Sequence, residues 1–387
     1  MRTQRSASMS IAIVDARGWQ NTLDLKTGEK ISSSRPVVEM VKGVLQRHPY
    51  PGDMDPKSNR WVSDMALDLV DSYGPRHVFL TYAAQYFSGR YMPMTSQMRA
   101  DMISDAFVEA QRFISASGME AMVVGTGGMT PLKGTIDLSR LDGLAICTHW
   151  ANRYAGLYEP SARDMELLRR HPRIEKIIAR KEVAALFNAD ARQAQRIPEY
   201  LMLAREGYAF KTMSGASKMP VMIPSLNFLV PVHAPGHPPE AITGIRKTLE
   251  QSLAKKNIAL IIMEGVGHDE FPWPCAPCTN NADWYFYEPG GTQLLTIASG
   301  RHRFLDYPTG YKYFDEEKEA MDYPFSGYFN SIPQGTFAGE FAGKSIAVGN
   351  RSMFMHMVTG ADISVECFAR NLYNQGTMAV IHREDKW

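Results

Sequence analysis

The sequence predicts an α/β fold with a mainly parallel sheet and helices on both faces. Short apolar runs alternate with longer amphipathic runs, as where His77–Tyr82 is followed by Gln97–Ala116 and then by Met119–Val124. Strands that alternate with helices in this way build parallel sheets that are covered on both sides. The strongest apolar run, Ile258–Met263, follows a helical pattern at 239–255. The hydrophobic fraction of 44% over 387 residues is enough for a large core.

Hydrophobic periodicity places the remaining elements in order along the chain. Apolar residues recur at helical spacing in 36–47 and in 59–72, which predicts a helix in each segment. The helix at 97–116 is predicted to bury an apolar stripe on four residues, which are Met98, Met102, Ala106 and Phe113. Shorter apolar segments lie at 144–147, 221–223, 227–232, 352–359 and 377–381.

The domain prediction is one large α/β domain that spans residues 1–387. Residues 161–215 carry mostly helical patterns and are predicted to form a helical insertion. Residues 270–345 are rich in proline, glycine and aromatic residues, which indicates a loop-rich segment. Such a segment can cap a pocket or form a subunit interface. We therefore expect a homo-oligomer or an assembly with a related subunit.

The global composition excludes several classes of partner. The net charge is +1 and the calculated isoelectric point is near 7.7, so we expect no nucleic-acid or membrane surface. No run of 18 apolar residues is present, and the basic N-terminus has no apolar region behind it, so neither a membrane span nor a signal peptide is expected. Four cysteines in a chain of this length are not a disulfide framework, which fits a reducing cytoplasm.

Ligands of parallel α/β sheets bind beyond the carboxyl ends of the strands. The residues that follow four apolar runs are therefore the candidate site. These segments are Gln85–Arg90, Gly125–Met129, His233–His237 and Glu264–Glu270.

The densest set of chemical groups follows the strand Ile258–Met263. Glu264, His268, Asp269 and Glu270 lie within seven residues, and two glycines between them allow the backbone to turn sharply. Carboxylates and an imidazole at this spacing can bind a divalent ion, or can act as a base with its orienting partner. We assign catalytic roles to Glu264 and His268. The alternative is a solvated turn with a capping aspartate.

Two histidines, His233 and His237, lie on one predicted tight turn after an apolar strand. Imidazole nitrogens favour zinc, iron or nickel. One divalent metal ion is therefore the candidate cofactor, with His233, His237, Glu264, His268 and Asp269 as its candidate ligands, and the sequence leaves open whether any metal is bound. The alternative is that one histidine packs on the sheet and the other is exposed.

Further candidate residues lie at other strand ends. Thr126 and Gly127 belong to a glycine loop whose backbone N–H groups can bind an anion. Arg90 and Arg153 can hold a carboxylate or a phosphate, and His149 can serve as a general acid or base. The alternatives are a tight turn for the glycine loop and a packed, hydrogen-bonded side chain for the histidine.

Residues 60–140 resemble the phosphodiesterase branch of the alkaline phosphatase superfamily. The resemblance rests on WVSDMALDLVDSYGPRHVFLTYAAQYFSGRYMP and on AMVVGTGGMTPLKGTIDL. In that family an aspartate follows the first strand, a histidine comes four residues later, and the second strand ends in S-D-H-G-M-T-P. Here Gln85, Gly89, Thr126 and Gly127 stand at the positions of these four metal ligands.

Two looser matches extend the resemblance. Glu264 stands where an aspartate begins the family's D-G-x-G motif, and Asn350 to Ser352 lie near the position of the nucleophile, so Ser352 is a candidate substrate contact. These segments come late in this chain and early in the family, which leaves two alternatives, a circular permutation or an accidental match. The resemblance implies a two-zinc site that attacks phosphate or sulfate esters, but the ligand replacements do not justify carrying that chemistry over.

Three functional hypotheses follow from these observations. The first is an alkaline phosphatase-like enzyme with an altered site, which acts on a small anionic or aromatic substrate by hydrolysis or lyase-type acid–base chemistry. The second is a pseudoenzyme subunit that supports an active partner. The third is an unrelated α/β metal-dependent hydrolase. We favour the enzyme on the altered scaffold.

Overall fold

The structure is a computed structural model. It describes residues 12–15, 22–24, 36–147, 153–211, 220–225, 228–282, 291–303, 335–352, 355–367 and 377–383.

Eleven α-helices lie in the described part of the chain. They are α1 (Pro36–Arg47), α2 (Ser58–Tyr73), α3 (Ala84–Tyr91), α4 (Ser96–Ser117), α5 (Ala162–Arg169), α6 (Arg180–Leu186), α7 (Ala191–Arg196), α8 (Ile245–Leu253), α9 (Gly291–Ser299), α10 (Phe337–Glu340) and α11 (Met355–Thr359).

Eighteen strands accompany them in the same ranges. They are β1 (Ala12–Asp15), β2 (Thr22–Asp24), β3 (His77–Tyr82), β4 (Glu120–Gly125), β5 (Met129–Pro131), β6 (Gly134–Ile136), β7 (Leu144–Ile146), β8 (Tyr154–Tyr158), β9 (Ile174–Ala179), β10 (Tyr200–Ala204), β11 (Tyr208–Phe210), β12 (Met222–Pro224), β13 (Leu229–His233), β14 (Ile258–Met263), β15 (Ala276–Thr279), β16 (Ser345–Ser352), β17 (Ile363–Cys367) and β18 (Thr377–Ile381).

Ten of these strands form one large sheet in the order β15-β13-β4-β14-β3-β16-β17-β18-β1-β2. The five central strands, β4, β14, β3, β16 and β17, are parallel to their neighbours in this group. The flanking pairs are antiparallel. The sheet is therefore mixed, and the prediction of a mainly parallel sheet is wrong for both flanks.

The direction of β13 has a simple topological cause. After β4 the chain leaves the large sheet at its carboxyl edge and forms the smaller sheets. It re-enters through β13, which runs antiparallel to β4. A chain that returns at the edge it left must run antiparallel, because only a crossover to the opposite edge yields a parallel neighbour.

Helices cover both faces of the parallel centre, as predicted. One apolar core joins the sheet to helices α1, α2 and α4 and includes Leu69, Phe113 and Ile261. The second core joins the opposite face to α8, α9 and α11 and includes Leu249 and Leu260. Strand β14 contributes to both cores and is buried along its whole length, which explains its continuous apolar sequence.

The segment 161–215 is not simply helical. It contains helices α5 to α7, but also β9 and β10, which belong with β7 and β8 to a four-stranded antiparallel sheet in the order β7-β8-β10-β9. The sequence from 174 to 186 has apolar residues whose spacing fits either a helix or a strand, and the structure uses its first half as β9 and its second half as α6. The boundaries of an insertion remain a prediction.

The predicted cap at 270–345 contains β15 and α9, while residues 283–290 and 304–334 lie outside the described residues. The role of this segment as a cap or an interface remains a prediction. Among the described helices, none combines the length and the hydropathy that a bilayer crossing requires.

Replacing Gly349 by alanine is expected to lower the free energy of unfolding by about 1–3 kcal/mol. Gly349 lies in β16, and a Cβ there would overlap Thr81 Oγ1 and Met355 Sδ. Urea unfolding measures the loss. Gly43→Ala in α1 is the matched control, because its Cβ meets only the flexible end of Arg47 and alanine favours a helix. Equal stability of Gly349→Ala and wild type would contradict the packing of β16 against β3.

Candidate functional site

The carboxyl ends of β3, β14 and β4 are joined by direct backbone hydrogen bonds. Glu264 N donates to Tyr82 O at 3.0 Å, and Thr126 N donates to Met263 O at 3.1 Å. The residues that follow three neighbouring strands therefore lie at one place, which we call the strand-end site. It comprises Gln85–Arg90, Gly125–Met129 and Glu264–Glu270.

A buried amide network connects this site to β16 and to the start of α2. Asn350 Oδ1 accepts from Ala83 N at 2.8 Å, and Asn350 Nδ2 donates to Ser58 Oγ and to Asn59 Oδ1, both at 2.9 Å. Asn350 is fully buried, and Ser58 and Asn59 are also buried. The side chains thus pair with one another, as buried polar groups must.

Gln85 extends the same network to the central strand. Its Nε2 donates to Tyr82 O at 2.7 Å and to Glu264 O at 2.8 Å, while its Oε1 accepts from Asn59 Nδ2 at 3.1 Å. An ionised carboxylate has only acceptors and could not replace these two donations. Gln85 is therefore a structural link between two strand ends.

Thr126 fixes the glycine loop after β4 against the loop after β14. Its Oγ1 accepts from Gly265 N at 2.9 Å, and its carbonyl accepts from Gln293 Nε2 at 3.3 Å. Gly127 N donates to Val266 O at 3.1 Å, and Gly127 and Gly265 both have positive φ. The two glycines allow the loops to approach this closely.

Two arginines that were predicted to bind an anion are buried beside these loops. Arg90 is 2% exposed and donates to the hydroxyls of Tyr86 and Tyr91, each at 3.3 Å. Burial lowers the pKa of Arg90, but its contacts with the two tyrosines raise that pKa above its ordinary value, so the group stays charged. Arg153 is 3% exposed and donates to Pro224 O at 3.1 Å.

The carbonyl that Arg153 contacts belongs to a strand packed on the strand-end site. In the register of β12 and β5, Pro224 lies opposite Met129. The next residue, Ser225, donates its N–H to Gly128 O at 3.0 Å. Arg153 thus approaches the glycine loop from the side of β12.

A third buried arginine, Arg99 on α4, lies at the same site. Its Nε donates to Glu270 Oε1 at 2.5 Å and its Nη2 donates to Glu270 Oε2 at 2.8 Å. The same Nη2 donates to Gly265 O. The arginine is 7% exposed. Its bidentate ion pair with Glu270 links α4 to the loop after β14.

Sequence reasoning missed Arg99 because the predicted stripe of α4 is displaced by about one residue. The buried face carries Arg99, Ile103, Ala106, Phe107, Ala110 and Phe113, whereas Met98 is 47% exposed. An arginine four residues before Ile103, on a face that is otherwise apolar, was the signal available in the sequence.

Five further predicted site residues, three catalytic, one metal ligand and one substrate contact, differ in their surroundings. Glu264 is 1% exposed at the end of β14. The side chains of His268 and Asp269 are exposed on a short 3₁₀ turn, with 3.9 Å between His268 Nδ1 and Asp269 Oδ1. Ser352 is the last residue of β16, and His149 lies outside the described residues. The roles assigned to all five remain predictions.

The structure does not bring the histidine pair to the strand-end site. Because β13 runs antiparallel to β4, the turn from His233 to His237 leaves toward the opposite edge of the sheet. His233 Nδ1 lies 2.8 Å from Pro274 O, and its ring packs edge-on to Trp273. His237 is exposed. The expectation that four strand ends meet is thus corrected to three.

Within the described ranges, no group of three or more His, Cys, Asp or Glu side chains is placed to hold a metal ion. The five predicted ligands do not form such a group, since they divide between a buried glutamate, an exposed turn, and the end of β13 with the turn that follows it. They are His233, His237, Glu264, His268 and Asp269.

No protein-family model matches this chain, and no curated protein matches it. Among solved structures it is similar to a phosphonoacetate hydrolase from Sinorhizobium meliloti 1021, with a TM-score of 0.36 and 14% identity over 48% of this chain and 51% of that one. It is also similar to murine ectonucleotide pyrophosphatase/phosphodiesterase 5, with a TM-score of 0.28 and 13% identity over 46% of this chain and 48% of that one. The chain spans about half the length of these structures, and scores this low do not transfer an activity.

Proposed function

We propose that this chain is an enzyme that binds a small anionic substrate at the strand-end site and cleaves it by hydrolysis or by lyase-type acid–base chemistry. The observation that carries the proposal is the burial of three guanidinium groups, those of Arg90, Arg99 and Arg153, around loops that end neighbouring strands. One of them, Arg99, is paired with Glu270, and its buried Nη1 has no hydrogen-bond partner among the described residues. Arginine is also well suited to hold phosphate, phosphonate or carboxylate oxygens.

Glu264 is the proposed general base. It lies at the end of the central strand and is buried, a setting in which a carboxylate can accept a proton from a nucleophile or from the substrate. The N–H groups of Thr126 and Gly127 are bonded to Met263 O and Val266 O, so the glycine loop shapes the site beside Glu264 without these two donors. The sequence resemblance to the alkaline phosphatase superfamily agrees with phosphate or sulfate esters as the substrate class.

The amide network favours a second candidate, a non-catalytic subunit that binds the same anion and supports an active partner. Asn59, Gln85 and Asn350 use their polar atoms to hold one another and the backbone. Such residues stabilise a binding site without taking part in a reaction.

Anion binding by the chelator-treated full chain tests the proposal. We expect inorganic phosphate and phosphonoacetate to bind in isothermal titration, and Arg90→Met to weaken that binding at least tenfold. Arg170→Met is the matched control, because Arg170 is 80% exposed in its pair with Glu166. Circular dichroism verifies that each variant is folded.

A measurement of turnover distinguishes the enzyme from the non-catalytic subunit. Release of phosphate from a phosphonate or ester, lost in Glu264→Gln while binding persists, supports the enzyme. Binding without turnover supports the subunit. Absence of binding in wild type, or binding unchanged by Arg90→Met, contradicts both.

A further inference from the structure

Strand β7 forms one edge of the small antiparallel sheet and exposes apolar side chains there. In the order β7-β8-β10-β9, its only neighbour among the described strands is β8. Leu144 is 61% exposed and Ile146 is 49% exposed. Both side chains lie on the same face, because alternate residues of a strand do so. An apolar edge strand presents unpaired backbone groups beside an apolar surface, which favours pairing with another strand.

The opposite edge of the same sheet is protected in two ways that β7 lacks. Strand β9 carries two exposed charged residues, Glu175 and Lys176, and Glu175 Oε2 lies 3.4 Å from Arg205 Nε. The pairing of β9 with β10 also contains a register shift beside Ala204. Charged side chains and bulges hinder pairing with another strand. Strand β7 has no charged residue and a regular register with β8, so of the two edges it is the one suited to pairing.

The fold fixes both ends of β7, so the edge needs no rearrangement before it pairs. Asp164 near the start of α5 is fully buried. Its carboxylate accepts from Asp142 N at 3.0 Å and from Gly143 N at 2.9 Å. At the other end, Cys147 Sγ donates to Lys211 O at 3.4 Å. A strand that is already held in its binding conformation loses little conformational entropy on association.

The exposed side chains of β7 continue a face that the rest of the small sheet covers. In the register with β8, Leu144 lies opposite Tyr158 and Ile146 lies opposite Gly156. A Cβ on Gly156 would lie 2.9 Å from Pro198 Cγ, so Pro198 covers β8 at this point. The cover ends there and leaves Ile146 half exposed. A further strand beside β7 would extend this apolar layer over both exposed side chains.

We propose that β7 is the interface of a homodimer, in which the β7 strands of two copies pair antiparallel about a two-fold axis at Ala145. This register places Leu144 of each copy opposite Ile146 of the other copy, with all four side chains on one face. The strand is thus complementary to itself, as a two-fold interface requires. The two four-stranded sheets become one continuous sheet. This inference goes beyond the proposed function and does not depend on it.

The charges at the two ends of β7 favour a second copy as the occupant. At the start of the strand, Asp142 Oδ1 lies 3.5 Å from Arg163 Nη1. Beside its end, Lys211 Nζ lies 3.2 Å from Asp137 Oδ2. Antiparallel pairing brings the start of one strand to the end of the other, so one balanced ion pair meets another and like charges are not forced together. A strongly acidic or basic peptide would find no opposite net charge in these two pairs.

Sedimentation velocity of the full chain over a range of concentrations tests the dimer. The strand has three residues, so the contact is small and we expect a dimer that dissociates on dilution. Ile146→Lys should weaken the dimer by about tenfold or more, because the ammonium group loses hydration in an apolar contact. Leu167→Lys is the matched control, because Leu167 is 48% exposed on α5, and it should dimerise as wild type does. Circular dichroism verifies that each variant is folded.

A pair of opposite charges tests the register. Leu144→Glu should also weaken the dimer. The double variant Leu144→Glu, Ile146→Lys should dimerise about threefold or more tightly than either single variant, because each new carboxylate then faces an ammonium group of the other copy. Wild type that stays monomeric at the highest concentration reached, or a dimer that Ile146→Lys weakens no more than Leu167→Lys does, overturns the interface. A double variant that dimerises no more tightly than the single variants overturns the antiparallel register.

Discussion

Asn350→Ala is expected to lower the free energy of unfolding by about 3 kcal/mol, which is large against the total stability of a domain. The substitution removes three hydrogen bonds at a fully buried position, to Ala83 N, Ser58 Oγ and Asn59 Oδ1. It leaves Ala83 N without an acceptor and opens a cavity where the amide was. Urea unfolding followed by circular dichroism measures the loss.

Ser58→Ala is the graded control for this experiment. It removes only the acceptor for one Asn350 N–H, so we expect a loss of about 1 kcal/mol. If both variants lose the same small amount, the amide network is not what holds the strand-end site together.

Acid is expected to destabilise this protein well above the range in which carboxylates titrate. His77 is buried at the start of β3, and desolvation lowers its pKa from 6.5 to about 4, opposed by a hydrogen bond to the backbone of Ile258. Between pH 6.5 and pH 4 the unfolded chain therefore binds a proton at His77 that the folded chain does not bind. The contribution of His77 to the free energy of unfolding is complete above pH 6.5 and is lost as the pH drops toward 4. The shift corresponds to about 3 kcal/mol.

His77→Phe removes this titration while keeping a ring against Phe337, whose centroid lies 4.7 Å away. Between pH 6.5 and pH 4, we expect the free energy of unfolding of His77→Phe to fall by about 3 kcal/mol less than that of wild type. Urea midpoints at several pH values measure the difference. The exposed His237 provides the control, since His237→Gln should retain the wild-type profile. Identical profiles for wild type and His77→Phe would contradict the burial of this imidazole.

His382 acts in the same direction as His77. Burial lowers its pKa well below the ordinary value, and electrostatic interactions with His356 and Arg383 lower that pKa further. Its ring stacks on that of His356 with 5.4 Å between the centroids. His77→Phe is therefore expected to flatten the acid limb of the stability curve without abolishing it.

The sequence was sufficient to predict the strands at the centre of the sheet. The apolar runs at His77–Tyr82 and Ile258–Met263 form β3 and β14, as predicted, because a strand buried on both faces needs continuous apolar side chains. The same logic predicted that the residues after β3, β4 and β14 would meet, and the structure places Gln85, Thr126 and Glu264 together.

The sequence could not predict the strand directions at the flanks of the sheet or the buried charge at the strand-end site. Hydrophobic patterning is the same for a strand that runs up or down, so the sequence could not show that β13 carries His233 away from the site. Likewise, the helical periodicity of α4 fits two alternative buried faces that are displaced by one residue. Only the packing shows that Arg99 lies on the buried face. Gly89 lies against Arg99 of another helix, a contact that no local pattern records.

We propose that arginines and amides, and not a cluster of metal ligands, make the strand-end site an anion site. Isothermal titration of inorganic phosphate into the full chain, after chelation and then again with added zinc, tests it most directly. We predict binding at one site after chelation, with an affinity that zinc leaves unchanged. Binding that requires added zinc, or no binding under either condition, would contradict the account.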